Sequence, residues 1–128
     1  MADTEKITIN MSPVDLGNID LLVEQGFYAT RTDFIRTAIR NQIDSHGQAI
    51  REAVQRRSIV AGVLVYDKGD LEEKRYRNEK ISVRVLGMFI LEDDVTPELA
   101  AAVFTEIKIF GVFKASDAVK EALKDITS

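Results

Sequence analysis

From Lys6 to Met11 polar and apolar residues alternate: Ile7, Ile9 and Met11 fall on one face, Lys6, Thr8 and Asn10 on the other. That is the period of two a β-strand imposes. The alternating core Lys6–Asn10 is too short to stand as a lone strand, because even a two-stranded hairpin is marginal in water. No second strand follows at hairpin distance, so the expected partner is the same segment of another copy of the chain. Ahead of it, Met1–Thr4 reads as a polar, disordered arm.

The period then changes. Ser12 before Pro13 is a helix-start signal, a hydroxyl N-cap followed by a residue whose missing N–H costs nothing at the first helical position. Val14, Ile19, Leu22 and Val23, widened by Leu16 and Leu21, give the helix an apolar face, and Gly26 supplies the stop. Phe27 and Tyr28 form an aromatic hinge. A second helix is predicted from Thr30, where Thr-Arg-Thr-Asp fits a capping-box variant with Asp33 in the third helical position. Its apolar stripe is Phe34, Ile35, Ala38, Ile39 and Ile43, with Arg36 and Arg40 on the other side, where they can pair across a dimer with acids such as Asp20, Glu24 or Asp44. Gly47 interrupts, and residues 48–57 form a short amphipathic stretch ending in Arg56 and Arg57.

Beyond Ser58 strand and helix patterns alternate. Three apolar runs superpose on Gly62, Gly87 and Gly111, which are 25 and 24 residues apart, and VRVLGMF matches IKIFGVF closely. Each run precedes a helix signal: Asp70 with Glu73, Thr96 with Pro97, and Ser116. The stretch 71–79 has few apolar residues and reads as either an exposed helix or a turn-rich loop. The spacing predicts three β-α units with parallel strands. It is a spacing at which solenoid repeats occur, and equally one that an ordinary small α/β domain can produce. The last strand of such a series stays unpaired unless it is capped or joined to another chain.

Composition narrows the chemistry. The chain has 128 residues, no cysteine and one histidine, His46, so disulfides, thiolate ligands and cysteine nucleophiles are excluded and metal and triad chemistry disfavoured. No paired-carboxylate or nucleophile-base constellation stands in a recognisable context, and an enzyme is not expected. The acidic turn Glu92–Asp94 matches no calcium-loop spacing. No cofactor is implied, since Gly62, Gly87 and Gly111 sit inside apolar runs rather than in a phosphate-cradling loop. With no transmembrane-length apolar run and no signal-peptide blocks, a cytoplasmic protein is expected. Net charge is −4, with seven Lys+Arg against eight Asp+Glu through Arg57 and ten against thirteen after it. Any nucleic-acid binding must therefore come from a local patch rather than a global basic field.

Residues Glu5 to about Asp44 resemble a ribbon-helix-helix domain of the Arc/MetJ/CopG class. The resemblance lies in the short alternating strand, the amphipathic helix with a glycine near its end, the hydroxyl-Arg-hydroxyl-acid cap, and the helix of aromatic, Ile, Arg, Ala and Ile residues. It implies an intertwined homodimer whose paired strands enter the major groove of double-stranded DNA as a two-stranded ribbon. Lys6, Thr8 and Asn10 would then face base edges: Lys donates to guanine, Asn pairs bidentately with adenine, Thr meets a thymine methyl. Thr30, Arg31 and Thr32, with the N–H groups of Arg31, Thr32 and Asp33, would hold a backbone phosphate at a helix N-terminus. Nickel-responsive members of the family also carry an α/β domain behind the ribbon-helix-helix, but the histidine and cysteine ligands they use are missing here.

The sequence thus predicts an α+β chain: a ribbon-helix-helix swapped dimer over residues 1–46, a helical linker over 47–57, and a small α/β repeat domain over 58–128. The function expected is a DNA-binding repressor, dimeric through its first strand and tetrameric or higher through its second half. A small-molecule sensor is the alternative for that half. An antitoxin, or an assembly protein without DNA binding, is the alternative for the whole chain.

Overall fold

The computed structural model describes residues 4–128, so the expected N-terminal arm lies, apart from Thr4, outside the described residues. The chain divides into two compact units, one ending at Gln48 and one running from Ala49 to Ser128.

In the first unit residues 4–12, including the expected strand Lys6–Asn10, form no regular element in the single chain, which offers no ladder partner for them. Helix α1 spans Pro13–Glu24. Ser12 caps it by accepting from the Asp15 N–H at 3.1 Å, and Pro13 occupies its first turn. Gly26, at φ +86, follows its end in the left-handed conformation that glycine adopts without cost. Helix α2 spans Arg31–Ser45. The two helices bury little: Ile19, at 5% exposure, is the one buried apolar side chain described in this unit. Leu16, Leu22, Val23, Phe34 and Ile35 are half-buried, whereas Ile7, Ile9, Val14, Leu21, Phe27, Ile39 and Ile43 are exposed.

Helix α3, Gly47–Arg56, leads into the second unit. There the strands β1 (Val60–Tyr66), β2 (Ile81–Leu91) and β3 (Phe104–Lys114) form one parallel sheet in the order β1-β2-β3. Helices α4 (Lys68–Tyr76), α5 (Pro97–Val103) and α6 (Asp117–Leu123) follow the strands in turn. Of the stretch 71–79, residues 71–76 are thus helical and 77–78 form the turn that follows, and the cap lies earlier than the sequence suggested. Asp67 is the N-cap, and Asp67 and Asp70 form the reciprocal box through backbone bonds of 2.8 and 3.0 Å. Asp70 serves as the third helical residue of that box, where Asp70 had been expected to begin one with Glu73.

Strand alternation sends one set of side chains under the helices. Val83, Val85, Phe89 and Leu91 of β2 and Phe104 and Ile107 of β3 pack against Leu71, Leu99, Val103, Val119 and Leu123 from α4, α5 and α6. At the centre Phe89 stacks on Phe113 at 5.2 Å and meets Phe104 edge-on at 5.7 Å. The opposite face carries Ala61, Val63 and Val65 of β1, Leu86, Met88 and Ile90 of β2, and Phe110 and Val112 of β3. Ile50, Ala53 and Val54 of α3 share a cavity of about 140 Å³ with Leu86 and Phe110 on that face.

The three superposable glycines are register partners, Gly62 beside Gly87 and Gly87 beside Gly111. All three have φ between +124 and +136, a conformation nearly closed to other residues. The last strand is partly capped: the tail Ile126–Ser128 bonds to β3 at Ile107 and Ile109, with N–H···O distances of 2.8 to 3.1 Å.

Candidate nucleic-acid interface

Lys6, Thr8 and Asn10 are exposed, and none has a hydrogen-bond or ion-pair partner among the described residues. Their apolar neighbours are exposed too, Ile7 at 75% and Ile9 at 64%. Met11, the last residue of the alternating set, is half-buried. It borders an open hollow of about 310 Å³ whose walls include Ile19, Leu22 and Phe34. The segment thus has the two-faced chemistry of a ribbon strand, with its apolar side unmatched in one chain.

Thr30 is the N-cap of α2, in extended backbone at φ −150 and ψ 168. Its Oγ1 accepts from the Asp33 N–H at 3.0 Å, and the Asp33 carboxylate in turn accepts from the Ala29 N–H at 3.0 Å. Because the oxygen serves as acceptor, the hydroxyl hydrogen remains available to an outside acceptor. The N–H groups of Arg31 and Thr32, in the first turn, meet no acceptor within the described chain, as the geometry of a helix start requires. The N–H of Asp33, expected to be free, is consumed by the cap. The Tyr28 and Phe34 rings meet edge-on at 5.0 Å beside it, fixing the hinge against the helix.

Arg31 carries a relationship that pattern reading missed. Its Nε and Nη2 donate to the two carboxylate oxygens of Asp20 at 2.7 and 2.8 Å, a bidentate fork joining the start of α2 to α1. The hydrogen bond from Arg31 holds the Asp20 carboxyl below the usual carboxylate range, and the same bond raises the Arg31 guanidinium above its ordinary value. The Arg31 side chain is therefore committed within the chain, and what it presents outward is its backbone N–H. The sequence offers Asp20 as a partner of Arg36 or Arg40 across a dimer, whereas within the chain it pairs with Arg31. Neither Arg36 nor Arg40 is ion-paired among the described residues of the single chain.

The electrostatics of the cap are mixed. Two free N–H groups and the positive end of the α2 dipole attract an anion, while the Asp33 carboxylate beside them opposes it. Among the described residues no cluster of three or more His, Cys, Asp or Glu could hold a metal ion, and no helix is long and apolar enough to cross a membrane.

The model of the Ribbon-Helix-Helix transcriptional regulator family matches residues 2–120, and the chain belongs to that family. The match reaches into α6, so it covers the three β-α units as well as the segment from which the resemblance was read. No curated protein and no solved structure matches the chain.

Proposed function

We propose that this regulator is a sequence-specific repressor that acts in the cytoplasm as an intertwined homodimer. In this reading the two copies of Lys6–Asn10 pair antiparallel and read the major groove. The observation that carries it is the unfinished core of the first unit: among its described residues one buried apolar side chain stands against seven exposed large ones, in a segment of a family named for its ribbon. A unit of this size buries too little surface alone, and a second copy supplies the missing half. Pairing turns Ile7, Ile9 and Met11 onto the helices and leaves six polar side chains, three from each chain, facing base edges. The Arg31 and Thr32 N–H groups and the Thr30 hydroxyl then hold a phosphate and fix the register without reading sequence.

The second unit, in the same reading, joins chains so that several ribbons act on one DNA. The chain is acidic overall, which leaves each ribbon weak by itself, and linked ribbons gain avidity without new contacts.

The test is selection of bound fragments from genomic DNA, followed by binding of the selected site and of random DNA over a range of salt. The parent chain should prefer the selected site and lose affinity steeply as salt rises. Lys6→Ala and Asn10→Ala should erase the preference while leaving the fold intact. Equal losses on both DNAs, or no loss on either, would sink the assignment of these residues to base reading.

A further inference from the structure

We infer that the outer edge of β1 is an interface for a second copy of the chain, formed by two β1 strands pairing antiparallel about a two-fold axis centred on Val63. The inference deepens, and rests on, the assembly role proposed above for the second unit.

Three observations meet at this edge. The first is its chemistry. β1 reads Val-Ala-Gly-Val-Leu-Val-Tyr, with no charge, no proline and no bulge in its register with β2, and Val60, Val63 and Val65 are 51%, 57% and 43% exposed. Soluble proteins normally guard an edge strand with charges, prolines or bulges, or cover it, because its free N–H and C=O groups invite another strand. The second is the glycine ladder. The space that a Cβ would take at Gly87 is filled by the carbonyl oxygen of Gly62, and that at Gly111 by the carbonyl oxygen of Gly87. Gly62 has the same backbone twist, yet nothing lies within 4 Å of the equivalent point. The edge therefore retains the slot that the other strands use to receive a neighbour's backbone. The third lies beside the edge: a groove of about 440 Å³ over the face shared by β1 and β2, lined by Val60, Leu64 and Tyr66 of β1 and by Ile81, Val83 and Arg84 of β2, leaves that face of the edge strand open to water.

The occupant follows from the same strand and its opposite edge. A head-to-tail array that continued the register would seat Val60 of one copy beside Ile109 of the next, whose N–H Ser128 already holds, and would run the residues just before Val60 into the tail Ile126–Ser128 bonded at Ile107. Two β1 strands meet no such obstacle, and with no charged residue on either they set no like charges opposite each other. Centring on Val63 pairs all seven residues, Val60 with Tyr66 at each end. The contact is isologous and closes at two copies rather than growing into a filament.

The absence of native cysteine makes the test clean. In the full chain, Val63→Cys places two thiols opposite each other with Cβ atoms about 4.5–5.5 Å apart, close to disulfide reach. Under mild oxidation it should form a covalent dimer, while Thr105→Cys, exposed on β3, should not. Val63→Lys should halve the solution mass of any species larger than a ribbon dimer and should unprotect the β1 amides in hydrogen exchange, with β2 amides still protected as proof of folding. Equal cross-linking of both cysteine variants, or cross-linking of Val63→Cys to Val112→Cys in mixed chains in place of self-cross-linking, would overturn the inference. A tetramer that survives Val63→Lys without self-cross-linking at Val63 would overturn the edge and leave the assembly role standing. If the parent chain is only a dimer, becomes monomeric on Ile9→Asp and shows no self-cross-link at Val63, both fall.

Discussion

Gly87 lies beside Gly62 on the neighbouring strand, and a Cβ at position 87 would overlap the Gly62 carbonyl oxygen; Gly111 stands in the same relation to Gly87. The obstruction is backbone, which cannot swing aside as a long side chain can.

Alanine at the three positions should therefore cost unequal amounts. At Gly62 the added methyl meets open space in the single chain, so the cost is the disallowed backbone conformation, about 1–3 kcal/mol. At Gly87 and Gly111 the overlap adds to that strain, and the loss should exceed about 4 kcal/mol, a size that demands a specific structural lesion. Urea denaturation at one low protein concentration measures this, since assembly at higher concentration would add its own stabilisation. Equal costs at Gly62 and Gly87 would show that strain alone decides.

These glycines also mark what could be read from sequence. Their spacing aligned three apolar runs, and the runs became register partners in a parallel sheet because a shared backbone twist needs glycine at the same level in each strand. The caps at Ser12, Thr30, Thr96 and Ser116 were equally legible, since hydroxyl capping is a local contest decided within four residues. The cap at Asp67 was missed because two acids three residues apart, Asp67 and Asp70, gave the same signal as Asp70 and Glu73. The Asp20–Arg31 pair was missed for a different reason. It joins residues eleven positions apart on two different helices, and no periodicity says which of several arginines meets a given acid. The tail on β3 was illegible too, because Ile126–Ser128 is too short to carry a strand pattern.

The Asp20–Arg31 fork predicts a titration. With its carboxyl held below the ordinary value of 3.8, Asp20 stabilises the arrangement at every pH above the usual carboxylate range. The contribution disappears as pH falls through the lowered value. Both groups are exposed, so the effect on stability is small, and NMR of the Asp20 carboxyl carbon is the measurement of choice. Arg31→Gln should return its midpoint toward 3.8. A midpoint unmoved by that change would place the cause elsewhere.

Asp33 should restrain DNA binding. Its carboxylate accepts from the Ala29 N–H and sits in the first turn beside the free N–H groups of Arg31 and Thr32, where a phosphate is proposed to lie. Asp33→Asn keeps an oxygen for Ala29 and removes one negative charge from the helix start. Affinity should rise by about two- to five-fold at low salt, the equivalent of the 0.3–1 kcal/mol typical of a charge at a helix end. The rise should be equal for selected and random DNA. A rise confined to the selected site would mean that Asp33 takes part in reading sequence.

Thr30 separates holding from reading. The hydroxyl oxygen caps α2 through Asp33, and its hydrogen is free to donate to a phosphate. Thr30→Ala should lower stability by about 1 kcal/mol through loss of the cap, and should weaken binding to selected and random DNA by the same factor. The slope of affinity against salt should stay as it was, because a neutral donor releases no counterion. Thr30→Ser restores both the cap and the donor and should behave as the parent. Stability and affinity measured together on the two variants check this. Parental DNA affinity in Thr30→Ala alongside a lost cap would confine Thr30 to the fold and leave the phosphate to the Arg31 and Thr32 N–H groups alone.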